Sequence, residues 1–298
     1  MGSLNRGFAY RDEIGADHVG WCALDYLTSR YVHSTRDAWQ RRLADGEVLI
    51  DGTVASGATA LCAGQSLVWH RPPWIEPDAP LAFAVLYEDD HLVAVLKPPG
   101  LPTLPGGGFL EHTLMHQLRR RTPNAGILHR LGRWTSGVLL ASKNPTAHAA
   151  VSAAFRERRI DKRYRALAMS TPAETTFIVE TPIGVVPHPI LGTIHAASVD
   201  GKPSRTRVEV VAIRDGAFLA DVWIETGRPH QIRIHLAAAG HPLVGDPLYA
   251  VGGQPAPDCR ALPGDPGYLL HAAEIRLAHP LTGERLVIEA PPPPELSV

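Results

Sequence analysis

Hydrophobic and polar positions divide the chain into two differently patterned stretches. Residues 21–31 (WCALDYLTSRY) carry apolar residues at helical spacing. Residues 35–46 (TRDAWQRRLADG) predict a second helix, with Ser34 as N-cap and Gly46 closing it. Residues 47–55 (EVLIDGTVA) read as a hairpin around Asp51-Gly52. Four prolines in residues 70–80 (HRPPWIEPDAP) then stop both helix and central strand. The pattern places a small N-terminal domain at 1–70, a linker at 71–80 and a larger domain at 81–298.

The larger stretch alternates like strands. Residues 85–100 (VLYEDDHLVAVLKPPG) give two apolar runs flanking Asp89-Asp90, a hairpin. Residues 137–142 (GVLLAS) are a buried strand. Asn144-Pro145 opens an Ala-rich helix to 158, with Asn as cap and Pro at the first helical position. Residues 204–226 make two strands across Asp215-Gly216, residues 230–240 a short helix ended by Gly240, and residues 286–294 a last strand running into prolines. No internal repeat is present. Strand runs mixed with isolated helices predict an α+β fold with a mixed, mainly antiparallel sheet.

Composition narrows the function. The 298 residues are 45% hydrophobic, enough for a sizeable core. Gly and Pro, 27 each, make the chain loop-rich without low complexity. No apolar run reaches membrane-spanning length, and the first residues lack a secretory apolar core. Cys22, Cys62 and Cys259 form no Cys-x-x-Cys pair, which suits a reduced, cytoplasmic protein without a zinc ribbon or disulfide frame. Net charge is −1, against a uniformly basic nucleic-acid coat. The distribution is uneven, however. Only Lys97, Lys143, Lys162 and Lys202 are lysines among 29 basic residues, and residues 156–165 (RERRIDKRYR) hold six basic and two acidic residues. Arginine favours planar, bidentate partners such as phosphate.

Three segments carry candidate chemistry. Residues 127–144 crowd His129, Arg130 and Arg133 into a loop that enters a buried strand at Thr135-Ser136-Gly137. In residues 162–167 (KRYRAL), Lys162 and Tyr164 share one strand face, and a pocket-side Tyr can stack on a base. In residues 225–250, a turn at Gly227 and Pro229 leads into a helix on which His230 and Arg233 share a face. Other chemistries fail: His230 and His235 lack the zinc-protease spacing, Gly106-Gly107-Gly108 is not a nucleotide loop, and no serine sits in a nucleophile elbow.

In order along the chain, six segments at residues 88–102, 129–143, 162–167, 201–206, 226–249 and 269–284 resemble the RluA-type RNA pseudouridine synthases, which modify uridines in ribosomal and transfer RNA. The N-terminal unit is similar to a small αL-type RNA-binding domain. The resemblance implies RNA as partner, no metal, no cofactor, no membrane, and a monomer. It implies that Arg130 helps displace the flipped uridine, that Tyr164 stacks on it, and that Arg233 pairs with the catalytic acid. It further implies substrate contacts from His129, Arg133, Thr135, Ser136, Lys162, Arg228, His230 and Gln231.

One position departs from the family motif. Where His-Arg-Leu-Asp is expected, the chain reads His129-Arg130-Leu131-Gly132. The reaction breaks the bond between uracil nitrogen and ribose, turns the base and rejoins it through carbon 5, and glycine offers it no nucleophile or base. Two readings follow: an active synthase in which another acid, Glu225 or Asp246 being nearest by motif, does the work, or a catalytically silent RNA-binding protein. A glycosidase needs two carboxylates across a cleft, and no spacing identifies them.

Overall fold

The computed structural model describes residues 2–257 and 259–298. The chain divides into two compact units, one ending at Pro77 and one beginning at Asp78.

In the first unit, β1 (Phe8–Glu13), α1 (Ala23–Arg30), α2 (Arg36–Ala44), β2 (Val48–Ile50), β3 (Thr53–Val54) and β4 (Ser66–Arg71) follow in order, and the strands form one sheet in the order β1-β4-β2-β3. The N-cap of α2 is Thr35, not Ser34: the Thr35 hydroxyl accepts from the Ala38 amide, whereas Ser34 accepts from Arg42. Asp51 and Gly52 both take positive φ in the β2–β3 turn, as a two-residue hairpin requires. Trp39 is fully buried, and the Arg42 guanidinium lies 4.4 Å from both the Trp39 and Trp69 rings. The proline-rich stretch is tied back to the start of the chain. Asn5 donates to the buried Glu76 carboxylate at 2.8 Å, and the Asn5 amide donates to the Trp74 carbonyl.

The second unit runs β5 (Ala84–Glu88), β6 (Leu92–Lys97), α3 (Leu114–Arg121), β7 (Gly126–Ile127), β8 (Ser136–Ser142), α4 (Pro145–Arg156), β9 (Asp161–Met169), β10 (Thr176–Val179), β11 (Ile183–His188), β12 (Gly192–Ala197), β13 (Thr206–Arg214), β14 (Ala217–Ile224), α5 (Gln231–Ala238), β15 (Tyr249–Ala250), β16 (Gln254–Pro255), β17 (Leu270–Ala278) and β18 (Arg285–Glu289). The main sheet has the order β10-β13-β14-β9-β17-β8-β6-β5, with β18 added on β17 and β7 on β8. It is a mixed, mainly antiparallel α+β architecture, and β8–β17 is its parallel pairing. Asn144 caps α4 by accepting from the Ala147 amide at 2.9 Å.

The β8–β17 pair positions the site. It is short, His271 opposite Ser136 and Ala272 opposite Gly137. Because the strands are parallel, the loop before β8 and the segment before β17 emerge at the same edge. Gly137 makes the approach possible: its φ is +113°, and a Cβ there would lie 2.2 Å from the Ala272 carbonyl oxygen. Ser136 Oγ and His271 Nδ1, 2.8 Å apart, tie the pair from the side. Lys97, fully buried at the end of β6, donates to the carbonyls of Pro98, Leu101 and Arg133, which holds the β8 loop from below.

Candidate active site

A pocket of about 550 Å³ opens where the β8 loop, β9, the β14–α5 turn and the segment before β17 converge. That volume lies within the range of small-ligand sites. Its floor contains Tyr164 on β9, Arg233 on α5 and Tyr268 ahead of β17. Its rim carries Arg130, Arg156, Arg158 and Arg228.

Tyr164 is buried at 8% exposure, and burial pushes its phenol up to about 12. Lys162, two residues earlier on the same strand face, lines the same wall, and burial lowers its ammonium pKa. His129 lines the pocket but is held from behind: Nε2 accepts from the Leu140 amide at 3.0 Å. Burial drives its imidazole down to about 3, so it is neutral. His230 is likewise held neutral, at about 3, first by burial and then by the adjacent Arg233. It stands in left-handed backbone (φ 55°) where the turn enters α5.

Arg233 is the most constrained group. Nε donates to Asp246 Oδ2 and Nη2 to Asp246 Oδ1, both at 2.7 Å, and Nη1 donates to the Pro263 carbonyl at 2.9 Å. Both side chains of the pair are nearly inaccessible, at 3% and 1% exposed. Asp246 Oδ1 also accepts from the amides of Leu248 and Tyr249. Bidentate geometry with further backbone donors on the carboxylate is the form in which a buried ion pair is tolerated. The acid that the sequence leaves open for Arg233 is therefore Asp246, supplied by the protein itself rather than by a phosphate of bound RNA.

Several sequence-expected contacts fall elsewhere. Arg133 turns out of the pocket: Nε donates to the Gly100 carbonyl and the guanidinium lies 4.6 Å from the Phe109 ring. Ser136 is buried against His271 and does not line the cavity. Gln231 lines the cavity, but its amide is consumed locally: Oε1 accepts from Thr226 and the Arg228 amide, and Nε2 donates to Arg205 and Thr206. It shapes the turn that presents Arg228. Thr135, Lys162, Arg228, His230 and Arg130 all line the pocket.

Among the described lining residues, Glu225 is the single carboxylate. Its side chain is 60% exposed at the mouth and pairs with Arg205 at 2.9 Å. Asp246 is not in the lining at all. Gly132 contributes bare backbone, with the Tyr268 hydroxyl beside it.

A model of RNA pseudouridylate synthases matches residues 91–238. An uncharacterised RNA pseudouridine synthase of Synechocystis is 43% identical over 276 residues, covering 92% of this chain and 94% of that protein. The chain belongs to the RluA-type RNA pseudouridine synthase family. The dual-specificity RNA pseudouridine synthase RluA of Escherichia coli is 34% identical over 224 residues, covering 74% of this chain and 94% of RluA. The structure of human RNA pseudouridylate synthase domain containing 1 superposes with a TM-score of 0.56 at 28% identity, over 75% of this chain and 89% of that one.

The family is one of isomerases that act on RNA, and its matched region contains the β8 loop, β9 and α5. Tyr268 lies outside that region and was missed by sequence reasoning. It is 132 residues after Ser136, and only the parallel β8–β17 pairing brings its segment alongside the β8 loop. The neighbouring Gly264 carbonyl, which accepts from Trp134 Nε1 at 2.9 Å, and the Pro263 carbonyl on Arg233 pin that segment in place. The motif segments hold no signal for this, because the last of them begins at residue 269, one position beyond it.

Proposed function

We propose that the protein converts uridine to pseudouridine in ribosomal or transfer RNA, turning the target base out of its stack into this pocket. The observation that carries the reading is the contrast between Arg233, paired on the floor, and rim cations that are not paired. Among the described residues, Arg130, Arg156 and Arg158 have no carboxylate partner. Such cations offer phosphate contacts, which position a nucleic acid without reading its sequence. Beneath them, Tyr164 provides a flat surface for a flipped base. Flipping costs a few kcal/mol, which stacking and local contacts offset. The unit ending at Pro77 acts in this reading as an αL-type RNA-binding module, with residues 71–77 of the expected linker folded into it.

In the family motif, Gly132 stands at the place of the catalytic aspartate. Neither acid nearest by motif replaces it: Asp246 is consumed by Arg233, and Glu225 is at the solvent-exposed mouth, engaged by Arg205. That specific observation favours a second reading, an RNA-binding protein without turnover. Incubating the purified protein with bulk transcribed ribosomal and transfer RNA separates the two. Pseudouridine that appears with wild type and disappears with Tyr164→Phe supports the isomerase. RNA binding without pseudouridine supports the silent binder and rejects the isomerase.

A further inference from the structure

Gly132 is not required by its backbone. Its φ lies outside the left-handed region, so an L side chain meets no conformational strain there. What stands in the way is a side chain. A Cβ built on Gly132 would lie 2.8 Å from the Tyr268 hydroxyl oxygen and 3.2 Å from Thr135 Oγ1. An aspartate's carboxylate oxygens lie two bonds beyond its own Cβ, so the phenol oxygen occupies the neighbourhood such a carboxylate would use. Tyr268 is held there firmly. It is 4% exposed, its hydroxyl is 3.4 Å from Thr135 Oγ1, and the Arg233 guanidinium sits 4.1 Å from its ring centre. Arg233 is itself immobilised by Asp246. Tyr268 nonetheless lines the pocket floor together with Tyr164.

We propose that Tyr268 is a catalytic residue of this protein, its phenol oxygen serving at the ribose in place of the carboxylate absent from position 132. This deepens the isomerase reading and rests on it. Tyrosine is an established type of covalent nucleophile at sugar anomeric carbons. The step balances without an oxidant, reductant or co-reactant. The phenol oxygen bonds to C1′ as the electron pair of the C1′–N1 bond leaves with uracil, and the phenolic proton passes to N1 of the departing base. After the base turns, C5 bonds to C1′, and the pair of the C1′–O bond returns to the tyrosine oxygen. The proton lost from C5 re-forms the phenol. The net change moves the glycosidic bond from N1 to C5 and a proton from C5 to N1.

The geometry also makes an aspartate at 132 and the Tyr268 hydroxyl compete for one space. A side chain at 132 must displace a phenol packed beneath Arg233, so Gly132→Asp alone forces two reactive groups into one space. Removing the hydroxyl opens that space.

The test compares wild type, Y268F, G132D and G132D/Y268F on bulk transcribed ribosomal and transfer RNA, scoring pseudouridine, RNA affinity and the urea unfolding midpoint. Y268F keeps the ring, so it should bind RNA within about twofold of wild type and unfold at the same midpoint. Its turnover should fall at least ~100-fold, the lower end expected for losing a group that acts directly on the substrate. G132D alone should also be impaired, and G132D/Y268F should recover at least ~10-fold over Y268F, well within the range such a group contributes. Near-wild-type turnover in Y268F overturns the assignment. A Y268F loss that the double variant does not reverse also overturns it, because the phenol's role is then structural. Failure of the isomerase reading looks different: wild type itself then makes no pseudouridine.

Discussion

The floor and the rim of the pocket hold cations of the same kind under opposite rules. On the floor, Arg233 meets Asp246 through two bonds of 2.7 Å, donates again to a carbonyl, and is 3% exposed. On the rim, Arg130 is solvent-exposed, and neither it nor Arg156 nor Arg158 has a carboxylate partner among the described residues. Desolvation explains the difference. A buried guanidinium without a counter-charge costs several kcal/mol, so the fold must supply one. A hydrated guanidinium costs the fold almost nothing and remains available to a ligand. The floor is thus part of the fold's stability, and the rim is part of its recognition surface.

The sharpest break of this contrast comes from the floor. Asp246→Asn leaves Arg233 buried without its charge partner and should destabilise the protein by about 3–5 kcal/mol. A denaturant midpoint that moves by less than a third of that range would mean water reaches the pair. Gly137→Ala should follow, at about 2–4 kcal/mol, since it combines positive φ with a 2.2 Å approach to the Ala272 carbonyl. In the rim the expected pattern reverses. The double variant Arg156→Ala/Arg158→Ala should leave stability within about 0.5 kcal/mol. RNA affinity should weaken, and the slope of log affinity against log salt should become shallower by about two. A change in stability with an unchanged salt slope would place these arginines in the fold rather than on RNA.

A last test is a pH dependence. His129 and His230 are held neutral in the folded state at about 3, against about 6.5 when unfolded. Between those values the unfolded chain binds protons that the folded chain does not. Stability is therefore complete above about 6.5 and declines as pH falls toward 3, by at most about 1.4 kcal/mol per pH unit for each histidine. Unfolding followed across that window should show the slope, and His129→Gln should reduce it.

Much of the secondary structure was legible because the relevant signals are local. The Asp51-Gly52 and Asp215-Gly216 turns, the Asn144-Pro145 cap and the alternation through β13 and β14 each depend on a few neighbouring residues. The Ser34 N-cap missed by one position because adjacent hydroxyl residues compete for the same amide and only the chain's exit angle chooses Thr35. Tyr164 and Lys162 could be placed on a shared face by period alone, whereas His230 precedes α5 in left-handed backbone and the expected helical face with Arg233 does not form. Arg133 could not be excluded from the pocket, because a loop has no period to say which way its side chain turns.

The sequence by itself determined the elements with strong local signals, the α+β class, the resemblance to the pseudouridine synthases and the bare position at Gly132. All of these rest on residue type and local spacing. Tertiary structure alone decided that Asp246 neutralises Arg233, that Glu225 stays at the mouth, and that Tyr268 lies where a side chain at 132 would point. The first two depend on loop and hairpin ends folding back onto their neighbours, and the third on strands far apart in the chain meeting in register. One short parallel contact, allowed by a glycine with no Cβ to clash, brings Tyr268 beside Gly132.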